Sequence, residues 1–188
     1  MPVRSFLLTK LHTNDGIIAN MRVLGRVVLC CITTLVVWCP QGYGDDMILT
    51  SPAFDNNKSI PKRFTCDGEG QNPPLKIDGV PKNAKSLVLI VDDPDAPMAT
   101  FIHWIVYDIP VISEIKEGSI PGKQGINTAR SFGWVSPCPP SGTHRYIFKI
   151  YALDKKLGLK EGANKSVVEK AMEGHIMDKA ELTGLYKR

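Results

Sequence analysis

The chain has 188 residues, of which 43% are hydrophobic and 22% are charged, which excludes a disordered protein and predicts one folded domain with a sizeable core. The formal net charge is +4, but residues 1–44 hold four basic side chains against one acidic side chain, so the rest of the chain is close to neutral. The absence of a Lys and Arg stripe interleaved with aromatic residues argues against a nucleic-acid-binding protein.

The N-terminal part of the chain has the pattern of a secretory signal peptide. A short basic segment, an apolar run of 12 residues over 27–38 and a few small residues follow one another in that order. The run is too short to cross a bilayer, which needs about 20 residues. We therefore predict an N-terminal extension and signal peptide in 1–44, with the signal in 21–44. The domain at 45–188 is then exported, to the periplasm or out of the cell.

Other interpretations of the N-terminal segment stay open. The apolar run also suits a buried or uncleaved amphipathic helix, and residues 1–20 are an upstream extension if Met21 is the true start. A lipoprotein would be anchored at Cys39. That interpretation is disfavoured, because Trp38 is bulkier than the small residue that lipoprotein processing prefers.

Two cysteines remain once the predicted leader is set aside, Cys66 and Cys138. An even pair in an exported chain permits one disulfide bond. The alternative is a pair of free thiols that flank the same pocket.

Apolar runs separated by turns rich in Gly, Pro, Asn and Asp predict a mostly β chain. Near the C terminus, Ser166 and Glu169 have the spacing of a helix capping box, and an apolar stripe continues to Ile176. The predicted strands cover 48–54, 60–66, 75–77, 86–92, 101–109, 145–153 and 180–186. The predicted fold is a mostly antiparallel β sandwich with Greek-key-like crossings and a small helical C-terminal part.

Polar side chains cluster at the ends of two neighbouring predicted strands. Asp93 and Asp95 follow the strand at 86–92 in a turn that contains two prolines, and His103 lies near the start of the next strand. His144 follows a second turn rich in Pro and Gly. Each residue taken singly is explained as a turn or strand residue. Together they predict a small-ligand pocket at one end of an apolar sandwich.

A metal site is one chemical interpretation of this cluster. His103, His144 and an aspartate form a two-histidine, one-carboxylate set, and Cys66 and Cys138 would suit zinc. No Cys-x-x-Cys or His-x-x-x-His spacing supports the set.

A serine hydrolase is a second interpretation. Ser136 or Ser141 would act with His144 and Asp93, in a triad that only geometry can establish. The sequence contains no Gly-x-Ser-x-Gly nucleophile elbow.

Anion binding is the third interpretation. Imidazole N–H groups and a tyrosine hydroxyl donate to phosphate, carboxylate or sulfate oxygens. Asp93 would orient or charge a histidine, because a carboxylate beside an imidazole favours the imidazolium form.

Three motifs occur in this order along the chain: Asp-Pro-Asp-Ala-Pro at 93–97, His-Trp at 103–104 and Pro-Pro-Ser-Gly-Thr-His-Arg-Tyr at 139–146. They resemble the phosphatidylethanolamine-binding protein family, in particular its bacterial and archaeal branch, named for similarity to Raf kinase inhibitor protein. Weaker matches extend the likeness over 48–188. One departure is Ser136, which stands where the family usually has a glycine shortly before the Pro-Pro motif.

The resemblance implies a β sandwich with a small anion pocket that accepts a phosphate or phospholipid headgroup, uses no cofactor and does no catalysis. The implied ligand-binding residues are Asp93, His103, Pro139, His144 and Tyr146. Asp95 and Arg145 are implied as supporting residues, with Arg145 on the opposite strand face from His144.

We therefore expect an exported, non-catalytic binding protein, with a kinase or protease as its implied protein partner. The alternative is a periplasmic hydrolase or metal enzyme that uses the same His and Asp cluster. A third interpretation is an inhibitory surface built on the pocket rim.

Overall fold

The computed structural model describes residues 46–188. The predictions of a signal peptide and of an upstream extension lie outside the described residues, so the division at residue 45 stays a prediction. No helix among the described residues is long and apolar enough to cross a membrane.

Within residues 46–188 the chain forms nine strands and one α-helix, together with a short 3-10 helix at Lys62–Phe64. The strands are β1 (Ile48–Thr50), β2 (Lys58–Ser59), β3 (Leu75–Asp78), β4 (Ser86–Asp93), β5 (Phe101–Ile109), β6 (Glu114–Ile115), β7 (Lys123–Gln124), β8 (Thr143–Leu153) and β9 (Ile176–Lys187). The helix α1 (Lys165–Met172) lies between β8 and β9 in the chain.

The strands form two sheets. The smaller has the order β1-β3-β6 and the larger has the order β2-β9-β8-β4-β5-β7. All neighbouring strands pair antiparallel except β2 and β9, which are parallel. The predicted fold class, a mostly antiparallel β sandwich with one helix near the C terminus, is confirmed.

Strand β4 lies at the centre of the large sheet and is buried on both faces, which explains its continuous apolar sequence. Because side chains alternate along a strand, Leu87, Leu89 and Val91 join the core between the two sheets. Val88 and Ile90 join a second core beneath α1. The end of β4 therefore has two distinct surroundings, one on each face of the sheet.

Strand β8 shows the alternation that the sequence predicts. Alternate residues of the strand are buried, and the intervening residues are exposed or half-buried. The buried residues are His144, Tyr146, Phe148, Ile150 and Ala152, with Leu153 at the strand end. This arrangement brings His144 and Tyr146 onto the inner face of the large sheet.

The strand predicted at 60–66 is wrong. Pro61 precedes a 3-10 helix, and the N–H groups of Phe64 and Thr65 donate back to the carbonyls of Pro61 and Lys62 at 3.0 Å each. Proline fixes φ near −65° and has no N–H for a ladder, which favours a turn here. The nearest strand residues are the two of β2.

The predicted helix start is also wrong. Asn164 caps α1, since its side chain accepts a hydrogen bond from the Val167 N–H at 3.0 Å, and Ser166 lies inside the helix. Gly174 takes a positive φ of 74° after the helix, and Ile176 opens β9. The predicted strand at 180–186 is confirmed within this longer strand.

Candidate functional site

A cavity of about 200 Å³ opens at the end of β4, beside the first residues of β5 and β8. It is lined by Asp93, Ala96, Pro97, Phe101, His103, Val135, Ser136, Cys138, Pro139, Pro140, His144 and Tyr146. The five residues implied as ligand contacts all line this one cavity. Their role in binding stays a prediction.

Strand pairing explains why distant residues meet there. Asp93 pairs with Phe101, so the end of β4 lies beside the start of β5. On its other side, Asp92 pairs with Ile147, which brings the first residues of β8 to the same place. An antiparallel sheet aligns the end of one strand with the beginnings of its neighbours.

His144 is held by Asp93. Its Nδ1 lies 2.7 Å from Asp93 Oδ2 and donates to that carboxylate, while Asp93 Oδ1 accepts the Asp95 N–H at 2.8 Å. Both side chains are buried, with 9% and 5% of their surface exposed. The ring therefore has a fixed orientation, and its Nε2 makes no hydrogen bond to the described part of the chain.

His103 is held by the backbone instead. Its Nδ1 donates to the Val135 carbonyl at 2.6 Å, and its ring packs against Phe101 and edge-on to Tyr146. Burial lowers the pKa of His103 below its ordinary value of 6.5, against the opposing effects of the Val135 carbonyl and Asp93. Burial therefore favours the neutral ring, and its Nε2 makes no hydrogen bond to the described part of the chain.

The hydroxyl of Tyr146 is buried and donates to no acceptor within residues 46–188, while the backbone of Cys138 acts on its oxygen and opposes the rise in its pKa. Burial is the main cause of a raised pKa for this phenol, so it keeps its proton at neutral pH. An unsatisfied buried polar group costs about 1–3 kcal/mol. A ligand that accepts from this hydroxyl would remove that cost.

Asp95 and Arg145 form an ion pair on the outer rim. The Nε and Nη2 atoms of Arg145 donate to the two carboxylate oxygens at 2.9 and 2.7 Å. The hydrogen bond from Arg145 is the main cause that lowers the pKa of Asp95 to about 2. Neither residue lines the cavity. Their contacts join the turn after β4 to the start of β8.

Cys66 and Cys138 are bonded to each other, with their Cα atoms 5.4 Å apart. The Cys66 N–H also donates to the Pro137 carbonyl at 3.1 Å. The bond joins the segment after the 3-10 helix to a wall of the cavity. It also removes both thiols from the zinc interpretation, because a disulfide sulfur is not a thiolate ligand.

The geometry bears on both catalytic interpretations. Among residues 46–188, no group of three or more His, Cys, Asp or Glu side chains is arranged to hold a metal ion. Asp93 and His144 do form the acid and imidazole part of a triad. In the described part of the chain, neither Ser136 nor Ser141 makes a hydrogen bond to a histidine.

The sequence analysis did not single out the apolar residues that line the cavity. Ala96, Pro97, Phe101 and Val135 lie in turns or at a strand end, where alternation does not tell which side chain faces inward. The only available signal was the position of Phe101, two residues before His103. That spacing puts both side chains on one face of a strand.

The described residues thus form a two-sheet β sandwich with a small cavity at one end that contains two buried histidines. The chain matches the family model described as phosphatidylethanolamine-binding protein over residues 50–187, and it belongs to that family. The predicted family is therefore confirmed.

Relatives and solved structures agree with this assignment. A UPF0098 protein of Pyrococcus horikoshii is 46% identical over 98% of this chain and 96% of its own length. A crystal structure of a phosphatidylethanolamine-binding protein homolog from Chlamydia trachomatis is 48% identical, with a TM-score of 0.74 over 76% of this chain and 98% of its own. Escherichia coli YbcL, described as a new member of the mammalian family, is 26% identical, with a TM-score of 0.70 over 76% of this chain and 99% of its own.

Proposed function

We propose that this protein is a non-catalytic binding protein whose cavity takes a small anion, with phosphate or a phospholipid headgroup as the class, and uses no cofactor. One observation carries the proposal. His103, His144 and Tyr146 line the same cavity, the buried hydroxyl of Tyr146 is unsatisfied, and the hydrogen bonds of the two rings within residues 46–188 are made through Nδ1.

The size and lining of the cavity support a small ligand. Its volume of about 200 Å³ is below the roughly 300–1,000 Å³ of drug-sized ligand pockets. A few polar groups stand among apolar walls, an arrangement that fixes the orientation of a ligand. Asp93 is turned to His144 and to the Asp95 N–H, so its carboxylate oxygens are already occupied.

Calorimetry with inorganic phosphate tests the proposal. His144→Ala should weaken phosphate binding by about 1.5–3 kcal/mol, because a charge-assisted hydrogen bond is lost. The matched control is His175→Ala, which breaks a second His–Asp pair, 2.9 Å from Nδ1 to Asp154 Oδ1, away from the cavity. Equal affinities for the wild type and His144→Ala would remove His144 from the site, and no phosphate binding at all would overturn the proposal.

The absence of catalysis is part of the proposal. It is supported by the lack of a hydrogen bond from a serine to either histidine within residues 46–188. Elemental analysis of the purified protein separates the proposal from the metal-enzyme alternative. Stoichiometric zinc or iron would favour the enzyme.

Export is also proposed. It is supported by the pattern of residues 21–44 and by the Cys66–Cys138 bond, because such bonds persist in oxidising compartments. N-terminal sequencing of the protein recovered outside the cytoplasm tests it. A mature chain that begins before Met21 would contradict the predicted signal.

A regulatory role, as an inhibitor of a kinase or a protease, is the second candidate function. The observation that favours it is an apolar rim over residues 96–101, where Met98 is 98% exposed beside the cavity mouth. Inhibition assays against exported proteases and sensor kinases, with Met98→Asp as the matched variant, test this role. No inhibition by the wild type, or equal inhibition by the variant, would exclude the rim as the inhibitory surface.

A further inference from the structure

A second concave site shares no lining residue with the cavity at the end of β4. It is lined by the segments 70–72, 118–120 and 132–134, together with Trp104 and Gln124, and we call it the tryptophan groove. Its volume is about 310 Å³, which lies within the range of roughly 300–1,000 Å³ of small-molecule pockets. The groove is therefore large enough to hold a ligand of its own.

Contacts between distant parts of the chain build this groove. The Gly118 N–H donates to the Asn72 carbonyl at 3.3 Å, which joins the first two segments. The Asn127 side chain donates to the Gly133 carbonyl at 3.1 Å and holds the third segment. Because these contacts exist without a ligand, the shape of the groove is largely formed in advance, as in most small-molecule sites.

The lining of the groove is aromatic and carries no charged side chain. Trp104 and Trp134 pack edge to face, with their ring centroids 6.0 Å apart. Phe132 and Ile120 are 57% and 63% exposed, although both are large and apolar. Exposed apolar side chains beside a groove mark a binding surface. A charged ligand would lose hydration here without gaining a charged partner, so the lining favours an uncharged ligand.

The polar groups of the groove are an indole N–H and carboxamides. The Trp134 N–H is buried and finds no acceptor within residues 46–188, which is unfavourable until an acceptor reaches it. Gln124 Oε1 accepts from Trp104 Nε1 at 3.2 Å, and the same amide still carries two N–H donors. Asn72 donates through Nδ2 to two backbone carbonyls, so its oxygen is the group that can meet a ligand. With Gln71, these carboxamides match a ligand that both donates and accepts, as an amide does.

The strand beside the groove argues against an extended peptide as the ligand. Such peptides commonly bind by adding a strand to a free sheet edge. Strand β7 is an edge of the large sheet, but its Gln124 carbonyl accepts the Gly162 N–H at 2.8 Å, and its Gln124 N–H donates to Glu161 Oε1 at 3.3 Å. This edge is thus already covered by the chain itself, which favours a compact ligand.

We propose that the tryptophan groove binds an uncharged, N-acetylated sugar. A sugar ring has an apolar C–H face that packs on the aromatic side chains, and a rim of hydroxyl groups that donate and accept. Its acetamido group exchanges hydrogen bonds with the carboxamides of Gln71 and Gln124, and a ligand oxygen accepts from the Trp134 N–H. This site is separate from the proposed anion cavity and does not depend on it.

The test compares three β-1,4-linked disaccharides by calorimetry at pH 6: N,N′-diacetylchitobiose, cellobiose and chitobiose. They differ only in the group on C2, which is an acetamide, a hydroxyl or a protonated amine. We expect N,N′-diacetylchitobiose to bind about tenfold more tightly than cellobiose, because the hydrogen bonds of the acetamide are lost. Chitobiose should bind more weakly still, because its ammonium groups find no carboxylate in the lining.

The outcomes distinguish this inference from other uses of the groove. Failure of all three disaccharides to bind, or equal affinities for the two uncharged ones, would overturn it. Binding of a proline-rich peptide in place of the sugars would assign the groove to a peptide. Saturating inorganic phosphate should leave the affinity for N,N′-diacetylchitobiose unchanged, and competition between the two would place the sugar in the anion cavity and overturn the inference.

A pair of exposed apolar side chains provides matched variants. Phe132→Ala should weaken binding of N,N′-diacetylchitobiose about tenfold, from the loss of one aromatic contact, and should leave phosphate affinity unchanged. Ile176→Ala, at a residue of β9 that is 46% exposed and does not line the groove, should change neither affinity. Equal sugar affinities for Phe132→Ala and the wild type would exclude the aromatic lining as the binding surface.

The indole N–H gives a spectroscopic readout. Trp134→Phe keeps an aromatic ring and removes the N–H, so it should weaken N,N′-diacetylchitobiose binding about two- to tenfold. Nitrogen-15 NMR of the unsubstituted protein covers the case in which the variant does not fold. We expect the indole N–H resonance of Trp134 to shift on addition of N,N′-diacetylchitobiose. A resonance that stays in place when the sugar is saturating would overturn the inference.

Discussion

Asp92 and Asp93 are neighbours at the end of β4, and they face opposite sides of the large sheet. Asp92 Oδ2 lies 3.0 Å from Lys149 Nζ and 3.3 Å from Lys165 Nζ, on the side of α1. Asp93 contacts an imidazole and a backbone N–H on the side of the cavity. Two ammonium groups satisfy a buried carboxylate and close that face. On the other face, His144 contacts Asp93 through Nδ1 alone, so its second ring nitrogen stays available to a ligand.

The largest expected effect comes from the disulfide on the cavity side. The Cys66–Cys138 bond joins positions 72 residues apart, and removing such a bond typically costs about 2–5 kcal/mol of unfolding free energy. We expect Cys66→Ser with Cys138→Ser to lose stability in this range by urea denaturation, and to bind phosphate more weakly because a cavity wall is released. A reductant should destabilise the wild type and leave the double variant unchanged. This prediction would be contradicted if the reductant left the midpoint of urea denaturation of the wild type unchanged.

A pair of isosteric substitutions tests the comparison of the two carboxylates. Asp93→Asn removes the charge that orients and balances His144, so phosphate affinity should fall by about 1.5–3 kcal/mol, as for a lost charge-assisted hydrogen bond. Asp92→Asn leaves two lysines beside a neutral amide and should lower the unfolding free energy by about 1–3 kcal/mol.

Each variant serves as the control of the other. Asp92→Asn should keep phosphate affinity within about twofold, since the residue does not line the cavity. Calorimetry and urea denaturation measure both quantities on both proteins. Loss of phosphate affinity in Asp92→Asn, equal to that in Asp93→Asn, would show that the two faces of the sheet are not independent.

The pH dependence of stability should report the neutral state of His103. Its pKa in the folded protein is lowered from 6.5, so the unfolded chain binds the proton more readily. The contribution of His103 to stability is therefore present above pH 6.5 and is lost as the pH falls below it. The slope is at most about 1.4 kcal/mol per pH unit between the two pKa values.

Urea denaturation between pH 8 and pH 5 measures this slope, and His103→Gln should flatten it. Because the chain holds other histidines, the quantity of interest is the difference between the wild type and the variant. His175→Gln, on the exposed pair with Asp154, is the matched control. Parallel profiles for the wild type and His103→Gln would show that burial does not keep this ring neutral.

The long strands could be predicted from the sequence, because their apolar runs and two-residue alternation record burial directly. The bounds of β5 match the predicted 101–109, and His144 and Tyr146 lie on the predicted face of β8. The helix start was mistaken, because Asn164 and Ser166 are both good caps and only the path of the chain decides between them.

The chemistry of the site was less predictable than its residues. The proton on His103 is assigned by the carbonyl of Val135, 32 residues away in an irregular segment. No pattern of residue types encodes the position of a backbone carbonyl, so sequence could identify the histidine and not its acceptor nitrogen. In contrast, the sequence did predict that Asp93 contacts a histidine, because a carboxylate and an imidazole are complementary hydrogen-bonding groups.

The smallest expected effect concerns a third carboxylate at the same strand end, Asp95. Its partner Arg145 is 54% exposed and Asp95 is 29% exposed, so solvent weakens the pair at neutral pH. The pKa of Asp95 is lowered from 3.8 to about 2, so the stability it contributes is present above pH 3.8 and is lost as the pH falls towards 2. Asp95→Asn should flatten the acid limb of the stability profile, and Arg145→Gln should do the same if the ion pair is the cause. If the stability of Asp95→Asn changed with pH as that of the wild type does, the ion pair would not stabilise the turn. The hydrogen bond from the Asp95 N–H to Asp93 Oδ1 would then be the contact that holds the turn.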